Sequence, residues 1–185
     1  MFPIFVPFLK RGRAIVAACA GSIALSATAD AQLNVARTPD ASMDYALATT
    51  IMRYYESAIL AYGAVIEMQP TNDEAYSNRC WLQAVVGREL ERALVDCNQV
   101  LRLNPNNVQV FDHRGLTNLK LGRYAQSIAD YDRLLSFRPK QASSLYGRGI
   151  AKRKSGDVRG GDADIAAAKD IEPTIAEVFA EYGVR

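Results

Sequence analysis

The chain has 185 residues, 22 of them basic and 20 acidic, with a single histidine and 49% hydrophobic residues. That apolar content suffices for one domain with a continuous core. A formal net charge of +2 gives no reason to expect nucleic acid or an anionic membrane surface as the general partner.

The first predicted element is a leader. Lys10, Arg11 and Arg13 supply positive charge, and residues 14–27 form an apolar and small-residue run that ends at Ala29-Asp30-Ala31. The run is short of the roughly 20 residues needed to span a bilayer. Residues 1–31 therefore read as a secretory signal peptide with Gln32 as the new N-terminus. Two competing readings are a lipoprotein box, Val16-Ala17-Ala18-Cys19, and an uncleaved anchor. Cleavage would remove three basic residues and one acidic residue, leaving 19 of each. The basic excess thus belongs to the leader. Residues 32–39 read as a linker.

Next come helical segments with a period. Residues 41–52 and 55–62, closing at Pro70, read as a helix pair over 40–71, although no glycine separates the two stretches. Beyond it Pro105, Pro139 and Pro173 recur every 34 residues and close the segments 75–105, 110–139 and 144–173. Gly87, Gly122 or Gly156 divides each segment. Glycine ends the first helix with a left-handed cap, and proline stops the second. Each unit (72–106, 107–139 and 140–173) is predicted to be two antiparallel helices joined by a tight turn.

Residues 174–185 are predicted to form a capping helix. Thr174 and Glu177 make a capping box, Ile175, Val178, Phe179 and Tyr182 form one apolar face, and Gly183 ends the helix. Two departures stand out. Gly87 to Pro105 is one residue longer than its counterparts, so that turn is non-standard. Adjacent Gly160 and Gly161 should weaken their helix start by roughly 1 kcal/mol each relative to alanine.

Phe111-Asp112-His113-Arg114-Gly115, followed by Leu121-Gly122-Arg123-Tyr124-Ala125-Gln126-Ser127-Ile128-Ala129-Asp130-Tyr131, resembles a tetratricopeptide repeat. Residues 142–173 match the same pattern, with Gly149, Gly156 and Ala168 in the small-residue places and Gly161 where the family prefers alanine. The resemblance covers about 135 residues and implies an all-α solenoid. It would have three clear repeats, a degenerate repeat at 40–71 and the terminal capping helix.

Arg79 with Asp96, Arg114 with Asp130 and Arg148 with Asp164 recur in register, one member per helix. They read as structural ion pairs, since catalytic acids would need unlike environments to separate their pKa values. Cys80 and Cys97 follow the first pair directly and should face each other. Reduced, they are two small apolar residues. In an oxidising compartment they are expected to join, closing a loop of 17 residues. His113 has no ligand spacing around it, so no metal site is expected. Gly160-Gly161-Asp162-Ala163-Asp164 faintly resembles a calcium repeat, but reads better as an Asp-rich helix start.

The resemblance also implies a concave groove lined by the first helices. Its partner-contacting places hold Trp81, then Asp112, Leu116, Leu119 and Lys120, then Tyr146, Ile150, Arg153 and Lys154. Trp, Tyr and Arg are enriched at binding hot spots. Trp81 and Tyr146 could equally pack between neighbouring repeats. The expected function is a non-catalytic, cofactor-free adaptor, exported to the periplasm, that holds a protein or peptide with apolar anchors and an acidic end. The alternative is an assembly subunit that docks through the ends of its stack.

Overall fold

The computed structural model describes residues 39–184, with side chains from Ala48 onward. The leader, Cys19 and most of the linker lie outside the described residues. Eight helices are described: α1 (Pro39–Met68), α2 (Asp73–Val86), α3 (Leu90–Leu103), α4 (Val110–Lys120), α5 (Tyr124–Leu135), α6 (Ala142–Ser155), α7 (Val158–Ile171) and α8 (Ile175–Glu181). The described residues contain no strand. No helix among them is long and apolar enough to cross a membrane.

Helices α2/α3, α4/α5 and α6/α7 are the three expected hairpins. Gly87 and Gly156 sit at φ +76° and +103°, where a Cβ would be strained, and so end α2 and α6. The extra residue of the first turn is Glu89, which takes φ +51° itself. A second left-handed residue is how that longer loop returns the chain to the start of α3.

Residues 40–71 differ from expectation. They form no helix pair, because α1 runs unbroken for 30 residues. Nothing between Ala41 and Tyr62 can stop a helix, as the stretch lacks both glycine and proline. Gly63 is absorbed within the helix.

The hairpins stack through their first helices. Helix α2 touches α4, and α4 touches α6, while the second helices of neighbouring repeats have little contact. The inner layer α2–α4–α6 is therefore the shorter, concave one, and α3, α5 and α7 form the outer layer. Close packing between layers depends on where the large residues fall. The Tyr131 ring of α5, 1% exposed, lies between Gly115 of α4 and Gly147 of α6. A Cβ on either glycine would stand within 2.8 Å or 2.4 Å of that ring. In the first repeat the equivalent place holds Cys80 and Cys97.

Helix α8 packs on the last hairpin, as a cap does, and also joins the inner-layer cluster. Ile175 and Phe179 are each 2% exposed, in one cluster with Leu116, Leu119, Tyr146 and Ile150 of the inner layer. Thr174 makes no side-chain capping bond, so the predicted capping box is not formed on its side. Its ψ of 2° is outside the extended region from which an N-cap side chain reaches the first turn. Burying Ile175 and Phe179 contributes about 2–3 kcal/mol each, comparable with the cost of ordering a few residues of backbone.

Candidate binding groove

The three ion pairs form as a series. Arg79 grips Asp96 through two bonds of 2.6 and 2.7 Å, and Arg148 grips Asp164 through two of 2.7 Å. Arg114 reaches Asp130 at 2.6 Å, with Asn118 donating to the same carboxylate at 2.9 Å. A planar guanidinium suits such two-point grips. Burial alone would raise the Asp164 carboxyl, but Arg148 and Lys152 together hold it below the usual carboxylate range.

Two of these arginines have a second arm. Arg114 donates to Asn98 of the preceding repeat at 2.8 Å, and Arg148 to Asp132 at 2.7 Å. Each target lies two residues beyond the aspartate of the earlier repeat. The arginines thus tie helix to helix and repeat to repeat, and in the sequence this second role resembles ordinary exposed polarity.

Cys80 and Cys97 face each other, fully buried, and their sulfurs are joined at 2.04 Å with the Cα atoms 5.7 Å apart. The bridge fills the interlayer gap that Tyr131 fills one repeat later.

The residues assigned to the groove do share the inner layer, but most are covered. Leu116, Leu119, Tyr146 and Ile150 are all buried. The ring of Tyr146 packs on Phe179 of α8 at 4.8 Å. Trp81 is half-buried against the His113 ring of the next repeat at 6.5 Å, so it packs between repeats. Asp112 is tied to the next repeat by Ser144 Oγ and by Ser143 Oγ at 3.3 Å. Burial pushes its carboxyl above the ordinary value, and the two serines oppose that shift. Lys120 donates to the Val85 carbonyl at 2.9 Å, and burial lowers its pKa to about 8. Arg153 and Lys154 remain exposed, Arg153 with Asp162 at 3.5 Å.

The helix α8 was expected from the sequence, but the surface that receives it was not. Tyr182, just past its end, is near enough to Tyr55 of α1 and Asp112 of α4 for both to act on it electrostatically, although burial is the main cause raising its pKa to about 12. Tyr182 and Tyr55 pack against one and the same cluster of the inner layer. The apolar spacing of α8 was visible, but the spacing does not say which surface receives it. A cleft of about 270 Å³ remains beside it, lined by Leu119, Lys120, Ile150, Lys154, Tyr182 and Val184 among others.

His113 is half-buried, and desolvation of its ring lowers its pKa to about 4; its Nδ1 lies 3.3 Å from Ser77 Oγ. Among the described residues no group of three or more His, Cys, Asp or Glu could hold a metal ion.

A stack of 34-residue helix hairpins with a concave inner layer and no strands among the described residues defines a helical repeat scaffold. The chain carries a tetratricopeptide repeat: that family's pattern matches residues 108–141, and the helix hairpins agree with it. It is 34% identical over 94 residues to human tetratricopeptide repeat protein 12, covering 50% of this chain and 13% of that one. It spans 13 to 19% of the first curated relatives it matches. Among solved structures, MamA 41-end from Desulfovibrio magneticus RS-1 superposes with a TM-score of 0.58 at 19% identity, over 72% of this chain and 90% of that one. The thermophilic repeat protein TTC0263 from Thermus thermophilus gives 0.57 at 17% identity, over 83% and 84%. These two likenesses concern the fold alone.

Proposed function

We propose that the chain is a non-catalytic adaptor of the cell envelope that holds a segment of another protein in its concave groove. The observation that carries this reading is the inner layer itself. Leu116, Leu119, Tyr146 and Ile150 form an apolar floor that accepts a helix through Ile175 and Phe179, with Arg153 and Lys154 exposed at its edge. Such a floor suits an amphipathic helix, and the two cations favour an acidic end. The Cys80–Cys97 bridge supports an oxidising compartment, which agrees with an exported chain.

The test is crosslinking co-purification from the native envelope, comparing wild type with Arg153→Glu/Lys154→Glu. Both positions are exposed, so the fold should persist. A stoichiometric partner lost from the double variant is expected. A partner kept by both would move the interface elsewhere. The second reading, docking through the end of the stack, is favoured by Tyr54, Leu60 and Met68 on α1, which are 72%, 76% and 73% exposed. Light scattering of Leu60→Glu against wild type tests it.

A further inference from the structure

We infer that α8 is a built-in, displaceable occupant of the concave groove, and that the partner displacing it is an amphipathic helix with matching apolar anchors followed by an acidic residue. This rests on the groove being the binding site, and it adds both a ligand chemistry and a form of self-regulation.

The geometry comes from four contacts. Ile175 and Phe179 are buried in one cluster that includes Leu116, Leu119, Tyr146 and Ile150 of the inner layer. Phe179 packs on Tyr146, a position that faces the groove. Tyr182 and Tyr55 of α1 both pack against this same cluster. Val184, 8% exposed, closes the series. The anchors Ile175, Phe179 and Tyr182 are spaced i, i+4 and i+7, the pattern by which one helix lies in the groove of others. A helix placed only to cap α6 and α7 would have no need to share a cluster with Leu116 and Leu119 of α4.

The attachment is light. Helix α8 has seven residues and no side-chain N-cap. It is joined to the stack through residues 171–174, all of them exposed. Backbone contact with α6 and α7 is sparse beside that between paired helices. Short, weakly capped elements at a chain end open before the body of a fold does.

The occupant is also imperfect, which tells what would replace it. Gly183 and Val184 lie in the cleft with Lys120 and Lys154, and neither has a side chain that could answer a cation. An incoming helix with aspartate or glutamate there would gain what α8 lacks. Because α8 is tethered, it competes at an effective concentration of order millimolar. A partner's apparent affinity is then reduced by the fraction of chains that are open.

A specific protease site inserted between Pro173 and Thr174 converts α8 into a separate peptide while leaving every residue present. The probes are the full chain cut and uncut, and a synthetic labelled peptide of residues 174–185. Further peptides carry Phe179→Asp or an appended Asp-Asp. Anisotropy reports binding, circular dichroism reports the repeats, and emission of the sole tryptophan, Trp81, reports the groove. After cutting, the fragment should leave on dilution while the repeats keep their helical transition. The cut chain should then bind the labelled peptide at least tenfold tighter than the uncut chain does. The Asp-Asp peptide should bind tighter still, with salt sensitivity, and the Phe179→Asp peptide should fail.

The inference is overturned if the cut chain loses its helical transition or keeps its fragment through dilution and exchange, because α8 is then part of the core. Equal peptide binding by cut and uncut chains overturns it as well. Failure of the groove reading itself looks different. The fragment would leave and rebind as described, yet the native partner would stay on Arg153→Glu/Lys154→Glu.

Discussion

Gly161 of α7 lies so close to Gly149 of α6 that a Cβ on Gly161 would stand 2.6 Å from the Gly149 carbonyl oxygen. The neighbour is backbone, so it cannot swing aside. Helix propensity favours alanine over glycine by about 1 kcal/mol, while forcing an atom into a packed interface costs about 1–3 kcal/mol. Gly161→Ala is therefore expected to destabilise the protein, seen as a lower urea midpoint with an unchanged slope. A gain in stability would mean the two helices are not this close. The apparent weakness of Gly160-Gly161 in the sequence thus has a packing reason at its second residue.

Tyr131 fills the gap between Gly115 and Gly147 with its ring, but its buried hydroxyl has no hydrogen-bond partner. Leaving such a group unsatisfied costs about 1–3 kcal/mol. Tyr131→Phe should keep the ring and raise the thermal midpoint, whereas Gly147→Ala should lower it. Thermal unfolding of the two variants separates ring packing from hydroxyl cost. A destabilised Tyr131→Phe would show that the hydroxyl has found a partner, such as a trapped water.

Reducing Cys80–Cys97 should weaken the first repeat, because a closed loop of 17 residues contributes roughly 3 kcal/mol through the unfolded chain. Urea unfolding with and without reductant measures this. An unchanged midpoint would mean that the cysteines pack equally well unjoined.

Three half-buried groups make stability depend on pH. His113 has a folded pKa of about 4 against an ordinary 6.5, so between those values the unfolded chain binds the extra proton. Its contribution is full above pH 6.5 and is lost as pH falls toward 4. Lys120, about 8 in the fold against 10.5, lets stability rise between pH 8 and 10.5. Tyr182, about 12 against 10.0, takes stability away above pH 10. Unfolding midpoints from pH 4 to 11 should therefore rise from the acid side and peak near pH 10. His113→Gln should flatten the acid limb and Lys120→Met the rise above 8. A histidine resonance titrating near 6.5 would contradict the first of these.

The helix hairpins and their ion pairs were legible because each depends on local signals, a glycine or proline at a fixed offset, repeated three times. The second arms of Arg114 and Arg148 were not, since Asn98 and Asp132 sit on exposed helix surface where polar residues are ordinary. The groove residues were placed on the right layer, but their burial was not foreseen. Ile175, Phe179 and Tyr182 have the same spacing whether they cover the end of the stack or its inside, and periodicity cannot choose between two apolar surfaces. The unbroken α1 follows from the absence of any helix stop between residues 41 and 62. The likeness of residues 55–62 to a second repeat helix points the other way, and it carries no information about where a helix begins.

The arginine series also has termini. Facing α1, the Arg79 guanidinium meets Gly63, whose Cβ position is 3.5 Å away, where Arg114 and Arg148 find a side-chain acceptor. Two residues past Asp164 stands Ala166, exposed and without an acceptor to offer a following repeat. The described repeats are thus coupled by a contact that the first and last of them do not offer outward. Joining a further copy to either described end would therefore take a contact of another kind.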